Sequence, residues 1–244
     1  SLKNIIYAGA PTYRADQEYA LGKLGPVIVQ YFGQGEVTGN ITVLPTHMHT
    51  AEYLEADETG IGTCGFARKG MQIAILDDNG ETVPTGEIGN ICVKGPAVCA
   101  GYYNRPEATE KAFRFGWWDT GDVGRLDERG LLYITGRASD MYISGGSNVY
   151  PREIEEAILS FGSVTEAAII GVPDPQWGES GIAILAPIPG QEIDIDALKE
   201  HLSQELAKYK WPKRYIIWDE VPKTAYGKMS KKLLKEMLEE QGLL

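Results

Sequence analysis

The stretch YITGRASDMYISGGSNVYPREIEEAI, residues 133–158, contains the change from one kind of fold to another. Its first part is predicted to complete a strand, Leu131–Thr135, because a short run of mainly apolar residues is followed by glycine. Its last part is predicted to be a helix, because Pro151 suits a first helical turn. One apolar face of that helix would consist of Ile154, Ala157, Ile158 and Phe161. We therefore place a domain boundary inside this stretch, between residues 138 and 139.

The residues after this boundary, 139–244, predict a compact α+β domain of roughly 100 residues, an ordinary domain size. Ser230 has a side chain suited to capping the last helix. The predicted strands are Ala167–Val172, Ile182–Ile188 and Tyr215–Trp218, and the predicted later helices are about Asp196–Lys208 and Ser230–Glu240.

The residues before the boundary, 1–138, predict two further parts. Over about residues 1–50, two strands joined through a helix indicate a piece of a parallel α/β sheet: Asn4–Ala8, Asp16–Leu24 and Val27–Phe32. Over about residues 60–138, short alternating strands indicate a small β subdomain: Met71–Leu76 and Ile88–Val93, with an Asn-Gly turn in Asp77–Glu81. The chain is therefore predicted to be multidomain, α/β followed by α+β.

Composition is that of a folded chain without obvious export or membrane signals. The chain has 244 residues, 43% of them hydrophobic, and a formal net charge of −11, which argues against nucleic acid as a partner. No apolar run is long enough to predict a transmembrane segment. The three cysteines form no CxxC pair, which favours a reducing cytoplasm.

The charge is unevenly distributed. Lys208–Lys235 holds nine Lys and Arg residues against two acids, a local net charge of +7. Such asymmetry favours an anionic ligand at this end. The alternative is a solvated helix face that carries lysines for solubility.

Two oppositely charged residues stand beside glycines: Asp122 lies between predicted glycine-rich turns, and Arg137 follows Gly136 at the end of a predicted strand. A carboxylate can accept from vicinal hydroxyls and a guanidinium can donate from a rigid fork, a combination that suits a ribose. The alternative is an ion pair with a purely structural role.

Three other stretches could bind anions or cations. The paired glycines of SGGSNVYP, residues 144–151, would allow close backbone approach to an anion, although most such loops are turns. The turn YFGQGE, residues 31–36, offers an aromatic ring for a base and Glu36 for a hard cation. Lys228 follows Gly227 in a predicted loop and could reach phosphate oxygens, or could be an exposed surface lysine.

The order and spacing of five motifs carry more information than any one of them. YFGQGE, WWDTGD, YITGRASDMYISGGSNVYPREIEEAI, GVPDPQWGE and PKTAYGKMSKKLLKEML together resemble the adenylate-forming superfamily, and within it the acyl-CoA synthetase (fatty-acid or aryl-acid CoA ligase) branch. The resemblance covers essentially the whole chain. It implies an AMP-forming ligase that uses ATP, Mg²⁺, coenzyme A and a small-molecule carboxylic acid.

The resemblance also implies roles for single residues. The nucleotide would be bound by Gly9, Ala10, Pro11, Phe32, Gly33, Gly35, Asp122 and Arg137, with Phe32 stacked on adenine and the Asp122–Arg137 pair on the ribose. Glu36 would hold Mg²⁺, and Lys228 would bridge the carboxylate and the α-phosphate. Asp140 would be the hinge of a mobile C-terminal domain, 139–244, and the coenzyme A channel would be lined by Ser144, Gly145 and Gly146.

Two departures from the family pattern affect the expected activity. Gly35 stands where the family usually has threonine, so a hydroxyl contact to phosphate is missing. The family's phosphate loop would precede the first residue, so residues 1–138 would be the last portion of the large domain and the chain alone is expected to be inactive without its N-terminal half. Two alternatives stay open: an adenylation domain that loads a carrier protein, and a non-catalytic nucleotide-binding or interaction module. A homodimer is also possible.

Overall fold

The computed structural model describes residues 2–9, 12–54, 61–223 and 229–244. The chain divides into two compact units, Ser1–Ala138 and Ser139–Leu244. Among the described residues, no helix has both the length and the apolar character needed to cross a membrane.

The first unit begins with a four-stranded sheet of order β1-β2-β3-β4. Strands β1 and β2 are parallel and connected through helix α1, which confirms the predicted α/β piece, whereas β3 and β4 continue the sheet in antiparallel fashion. The elements are β1 (Ile5–Tyr7), α1 (Arg14–Leu24), β2 (Ile28–Phe32), β3 (Thr42–Leu44), α2 (Ala51–Leu54) and β4 (Phe66–Ala67).

The same unit contains a second, antiparallel sheet of order β5-β6-β8-β7, with β9 also paired to β8. Trp118, Ile91 and Leu132 are buried between this sheet and the residues that follow β2. The elements are β5 (Gln72–Leu76), β6 (Gly89–Lys94), α3 (Pro106–Ala112), β7 (Phe113–Arg114), β8 (Trp117–Leu126) and β9 (Leu132–Arg137).

Strand β8 corrects one local interpretation. The sequence places Asp122 between glycine-rich turns, but the structure places it inside a ten-residue strand. Glycines within a strand mark bulges or close approaches. The register of β8 against β9 shifts between Val123 and Gly124, and a Cβ at Gly124 would collide with the Tyr133 carbonyl oxygen.

The second unit is a five-stranded sheet of order β11-β10-β13-β12, with β14 parallel to β13. The elements are β10 (Tyr142–Ser144), β11 (Ser147–Val149), α4 (Pro151–Leu159), β12 (Val164–Asp174), β13 (Gly178–Pro187), α5 (Ile195–Glu205), β14 (Arg214–Ile217) and α6 (Lys231–Glu240). Its α+β organisation is the predicted one.

Strand β12 shows why this sheet forms. Ala167 and Ile169 pack into a core with α4 and α5, whereas Ala168 and Ile170 pack into a second core with α6. Successive side chains of a strand point to opposite faces. A strand covered on both faces therefore reads as a continuous apolar run.

The helix ends follow local rules. Helix α4 begins at Pro151, as predicted. The Ser230 side chain accepts from the Leu233 N–H at 3.4 Å, which confirms the predicted cap of α6. Helix α5 is capped instead by Asp194, whose side chain accepts from the N–H groups of Asp196 and Ala197.

Candidate functional site

The turn after β2 holds the first group of candidate residues. Strand β2 ends at Phe32, and a short 3-10 helix runs over Gly35–Val37. Position 33 requires glycine because the backbone of Gly39 and Asn40 passes close to it, and a Cβ there would collide with that backbone. The turn is therefore packed tightly at Gly33.

The parallel pairing of β1 and β2 brings a second segment to this edge. Tyr7 pairs with Gln30, so residues 9 and 32 leave the sheet on neighbouring strands. Gly9 is exposed and has a φ of +91°, a conformation that favours glycine. The other two predicted residues of this segment, Ala10 and Pro11, lie outside the described residues.

Asp122 and Arg137 face each other across the β8–β9 pair. Arg137 Nε lies 2.7 Å from Asp122 Oδ1, and the Asp122 side chain is only 8% exposed, whereas that of Arg137 is 57% exposed. The ion pair considered from the sequence is thus present. The exposed guanidinium has further N–H groups that can reach a ligand.

Gln34 connects this ion pair to the turn. Its Nε2 donates to the Thr120 carbonyl oxygen and lies 3.4 Å from Asp122 Oδ2, a partner 88 residues away. Its Oε1 accepts from Trp118 Nε1 at 3.4 Å. One amide therefore joins the YFGQGE turn to the WWDTGD strand, so the two motifs form one site.

Glu36 lies on the same turn and has a defined partner. The Tyr102 hydroxyl donates to Glu36 Oε1 at 2.9 Å. Desolvation, and then this hydrogen bond, raise the pKa of Tyr102, so the phenol is the donor at neutral pH. Mg²⁺ in nucleotide sites is commonly held by one or two carboxylates plus the phosphates. A single half-buried carboxylate at a glycine turn fits that requirement.

Gly35 differs from Gly33 in what surrounds it. A Cβ at Gly35 would meet no heavy atom within 4 Å, and its φ is outside the positive range that favours glycine. The fold would therefore accept a side chain at this position.

The second unit contains the other candidate residues on a hairpin. Gly145 and Gly146 join β10 to β11, with φ values of +59° and +84°. Positive φ at both central residues is what a two-residue type I′ turn requires. The paired glycines therefore form the turn of a hairpin, which is the alternative that the sequence left open, and Ser144 and Ser147 are paired at its end.

The GVPDPQWGE motif supports that hairpin. A Cβ at Gly145 would lie 2.7 Å from the Trp177 ring, and the Gly145 N–H donates to the Trp177 carbonyl oxygen at 2.9 Å. Asp174 accepts from the N–H groups of Gln176 and Trp177, both at 2.9 Å. Lys213 donates to Asp174 at 2.6 Å, which with the backbone bonds lowers the pKa of Asp174 to about 2.

Asp140 and Lys228 are the remaining two predicted residues. Asp140 is the second residue of the second unit, and its carboxylate accepts from the Ser139 hydroxyl at 3.2 Å. Lys228 lies outside the described residues. On either side of it, Lys223 pairs with Glu166, and Lys231 Nζ lies 2.8 Å from Glu155 Oε1.

These pairs change the interpretation of the basic segment. Among the residues that the structure describes, five of its nine bases form ion pairs with acids outside the segment: Lys210–Glu153, Lys213–Asp174, Lys223–Glu166, Lys231–Glu155 and Lys232–Glu236. Most of the +7 charge is therefore compensated within the second unit, so its magnitude does not by itself indicate an anionic ligand.

Sequence reasoning missed three residues that organise these sites: Gln34, Tyr102 and Trp177. Gln34 and Trp177 lie inside motifs quoted above and Tyr102 lies outside them, but the role of each residue depends on a partner that is distant in sequence. Their only local signal is a polar or aromatic side chain next to glycine.

Comparison with known proteins agrees with this architecture. Residues 1–103 match the AMP-binding enzyme family, and residues 153–228 match the AMP-binding enzyme C-terminal domain. The chain belongs to the family of AMP-binding enzymes, the adenylate-forming enzymes that its motifs resemble.

Three relatives illustrate the similarity. A feruloyl-CoA synthase of an Amycolatopsis species is 39% identical over 231 residues, covering 95% of this chain and 45% of the relative. A medium/long-chain-fatty-acid–CoA ligase of Mycobacterium tuberculosis is 33% identical, covering 96% and 41%. ATP-bound MatB from Rhodopseudomonas palustris is 35% identical with a TM-score of 0.86, covering 98% and 46%. The chain spans about half the length of the curated relatives it matches.

Proposed function

We propose that this chain is the C-terminal part of an ATP-dependent acyl-CoA ligase, with coenzyme A as the thiol acceptor. The observation that supports this most is the Gln34 contact, because it joins the Glu36 turn to the Asp122–Arg137 pair, the groups proposed to bind the nucleotide. The similarity to named CoA ligases and to an ATP-bound structure supports the same choice.

In the first half-reaction, a carboxylate oxygen of the acid attacks the α-phosphorus of ATP. The bond from that phosphorus to the bridging oxygen breaks, and pyrophosphate leaves. Phe32 would stack on adenine, with Gly9, Ala10, Pro11, Gly33 and Gly35 lining the nucleotide, and Asp122 and Arg137 would bind the ribose hydroxyls. Lys228 would lie between the two anions, where a positioned ammonium stabilises the developing charge.

Mg²⁺ bound at Glu36 would neutralise phosphate charge. The Tyr102 hydroxyl already orients the Glu36 carboxylate by a hydrogen bond. Glu36 would therefore offer the metal an oriented oxygen at the turn.

In the second half-reaction, the coenzyme A sulfur attacks the acyl carbon, its proton is released, and AMP leaves with the former carboxylate oxygen. Ser144, Gly145 and Gly146 would line the thiol channel, because a glycine turn permits close approach of a narrow chain. Asp140 would be the hinge that lets residues 139–244 serve both steps. We place the enzyme in the cytoplasm, where its three free cysteines would stay reduced.

The test is pyrophosphate release by the complete protein over short, medium, long and aromatic acids, with and without coenzyme A. We expect release with one class of acid and consumption of coenzyme A, and no turnover by the 244-residue chain alone. Release without use of coenzyme A, but with acylation of an added carrier protein, would support the carrier-loading alternative. Nucleotide binding without release for any acid would support the non-catalytic module.

A further inference from the structure

We propose that Tyr102 is a positioning residue that holds the Glu36 carboxylate ready for the metal–nucleotide complex. The inference rests on the proposed function, because it concerns the same nucleotide site. It assigns a role to the GYYNRPEAT stretch, residues 101–109, which the nucleotide-binding residues above do not include.

Two hydrogen bonds hold Glu36, one at its carboxylate and one at its backbone carbonyl. The Tyr102 hydroxyl donates to Glu36 Oε1 at 2.9 Å, and the Cys99 N–H donates to the Glu36 carbonyl oxygen at 2.7 Å. Residues 99 and 102 belong to one short segment that passes alongside the turn. Both the backbone and the carboxylate of Glu36 are therefore held by that segment.

Tyr102 is itself fixed from two sides. Its ring packs against Trp118 with centroids 5.6 Å apart, and Trp118 is buried. Its N–H donates to the Thr109 hydroxyl at 2.9 Å. Trp118 in turn donates to Gln34, so the packing that orients Tyr102 also belongs to the Asp122 side of the site.

The chemistry of the donor suits this role. A phenol is neutral, so its hydrogen bond orients the carboxylate without cancelling the negative charge that attracts a cation. The bond uses one of two carboxylate oxygens, and the other can serve a metal. A carboxylate already oriented loses less side-chain freedom on binding, which increases affinity by pre-organisation.

The test uses Tyr102→Phe in the complete protein, because phenylalanine keeps the ring packed on Trp118 and removes only the hydroxyl. Tyr103→Phe is the matched control, since Tyr103 is adjacent but 91% exposed. Binding of α,β-methylene ATP is measured by calorimetry with Mg²⁺ and with EDTA. We expect Tyr102→Phe to reduce the Mg²⁺-dependent gain in affinity about three- to tenfold, leaving binding in EDTA and the control unchanged.

The inference is overturned if Tyr102→Phe keeps the wild-type Mg²⁺ dependence, or if binding in EDTA weakens equally, which would indicate a structural role. Glu36→Gln separates this inference from the assignment on which it rests. If Glu36→Gln removes the Mg²⁺-dependent gain and Tyr102→Phe does not, only the Tyr102 role is wrong. If neither variant changes it, the role of Glu36 is wrong as well.

Discussion

The candidate carboxylates of the first unit and the buried carboxylates of the second unit have different partners. In the second unit, carboxylates are matched by lysines: Glu153 accepts from Lys210 at 2.5 and 2.7 Å, and Glu155 lies 2.8 Å from Lys231. In the first unit, the Glu36 carboxylate is held by a phenol, and Asp122 by an amide and a largely exposed arginine.

The difference suggests how each charge is used. A carboxylate that is fully compensated inside the protein stabilises packing but has little charge left for a ligand. A carboxylate oriented by neutral donors keeps its charge. We therefore expect substitution of Glu36 or Asp122, whose partners are neutral or largely exposed, to affect nucleotide binding, and most charge substitutions in the second unit to affect stability.

The largest expected effect concerns Lys228, a charged residue of the second unit that we nevertheless expect to act on the nucleotide. Lys228→Ala in the complete enzyme should slow adenylation ~10²–10³-fold, because a positioned cation is lost from the developing charge. Pyrophosphate release measures this step, and conversion of supplied acyl-adenylate to thioester measures the second step, which should stay near wild type. An equal loss in both steps would contradict the assignment of Lys228 to the first.

A buried pair in the second unit should behave differently. Glu155→Gln should lower the free energy of unfolding by about 2 kcal/mol, because Lys231 then lacks its counter-charge in a largely buried position. Urea denaturation of this chain measures the loss. Glu236→Gln is the control, since its pair with Lys232 is exposed and 3.8 Å long, and should cost less than about 0.5 kcal/mol.

The corresponding change in the first unit is Asp122→Asn. It keeps the size of the side chain and removes the charge, so we expect the KM for ATP to rise about tenfold, equivalent to roughly 1.4 kcal/mol. The free energy of unfolding should change by about 1 kcal/mol or less, because Arg137 is largely exposed. An unchanged KM for ATP together with a large loss in the free energy of unfolding would show that Asp122 has a purely structural role.

The smallest expected effect concerns Gly35. Gly35→Thr should change stability by less than about 0.5 kcal/mol, since the position has open space. If the added hydroxyl reaches phosphate, adenylation should become about fivefold faster, the value of one modest hydrogen bond. Gly33→Ala is the contrast two residues away and should unfold far more easily, because its Cβ would collide with backbone. Equal stability of the two variants would show that the turn adjusts.

Much of the fold could be predicted from local patterns. The apolar run at Ala167–Val172 predicted a strand, which the structure shows to be buried on both faces, and Pro151 and Ser230 marked the start of two helices correctly. Strand β8 was missed because Gly121 and Gly124 are turn residues by local rules, and only pairing with β6 and β9 makes an extended strand with a bulge favourable.

The sequence singled out candidate residues but not the contacts that join them. The sequence indicated Glu36, Asp122 and Arg137 separately, and only the family resemblance implied that they belong to one nucleotide site. Gln34 and Tyr102, which orient two of those carboxylates, had no local pattern that distinguishes them from ordinary polar or aromatic residues.

The sequence by itself determined most of the succession of elements and the glycine turns, because these depend on residues close together in the chain. It also determined the membership of the AMP-binding enzyme family, because the order and spacing of the motifs can be read directly along the chain. Only the tertiary structure decided that Gln34 meets Asp122 and that the basic segment 208–235 is largely neutralised by distant acids. The physical reason is that hydrogen bonds and ion pairs depend on distance in space, and packing of the β-sheets brings together groups that are far apart in sequence.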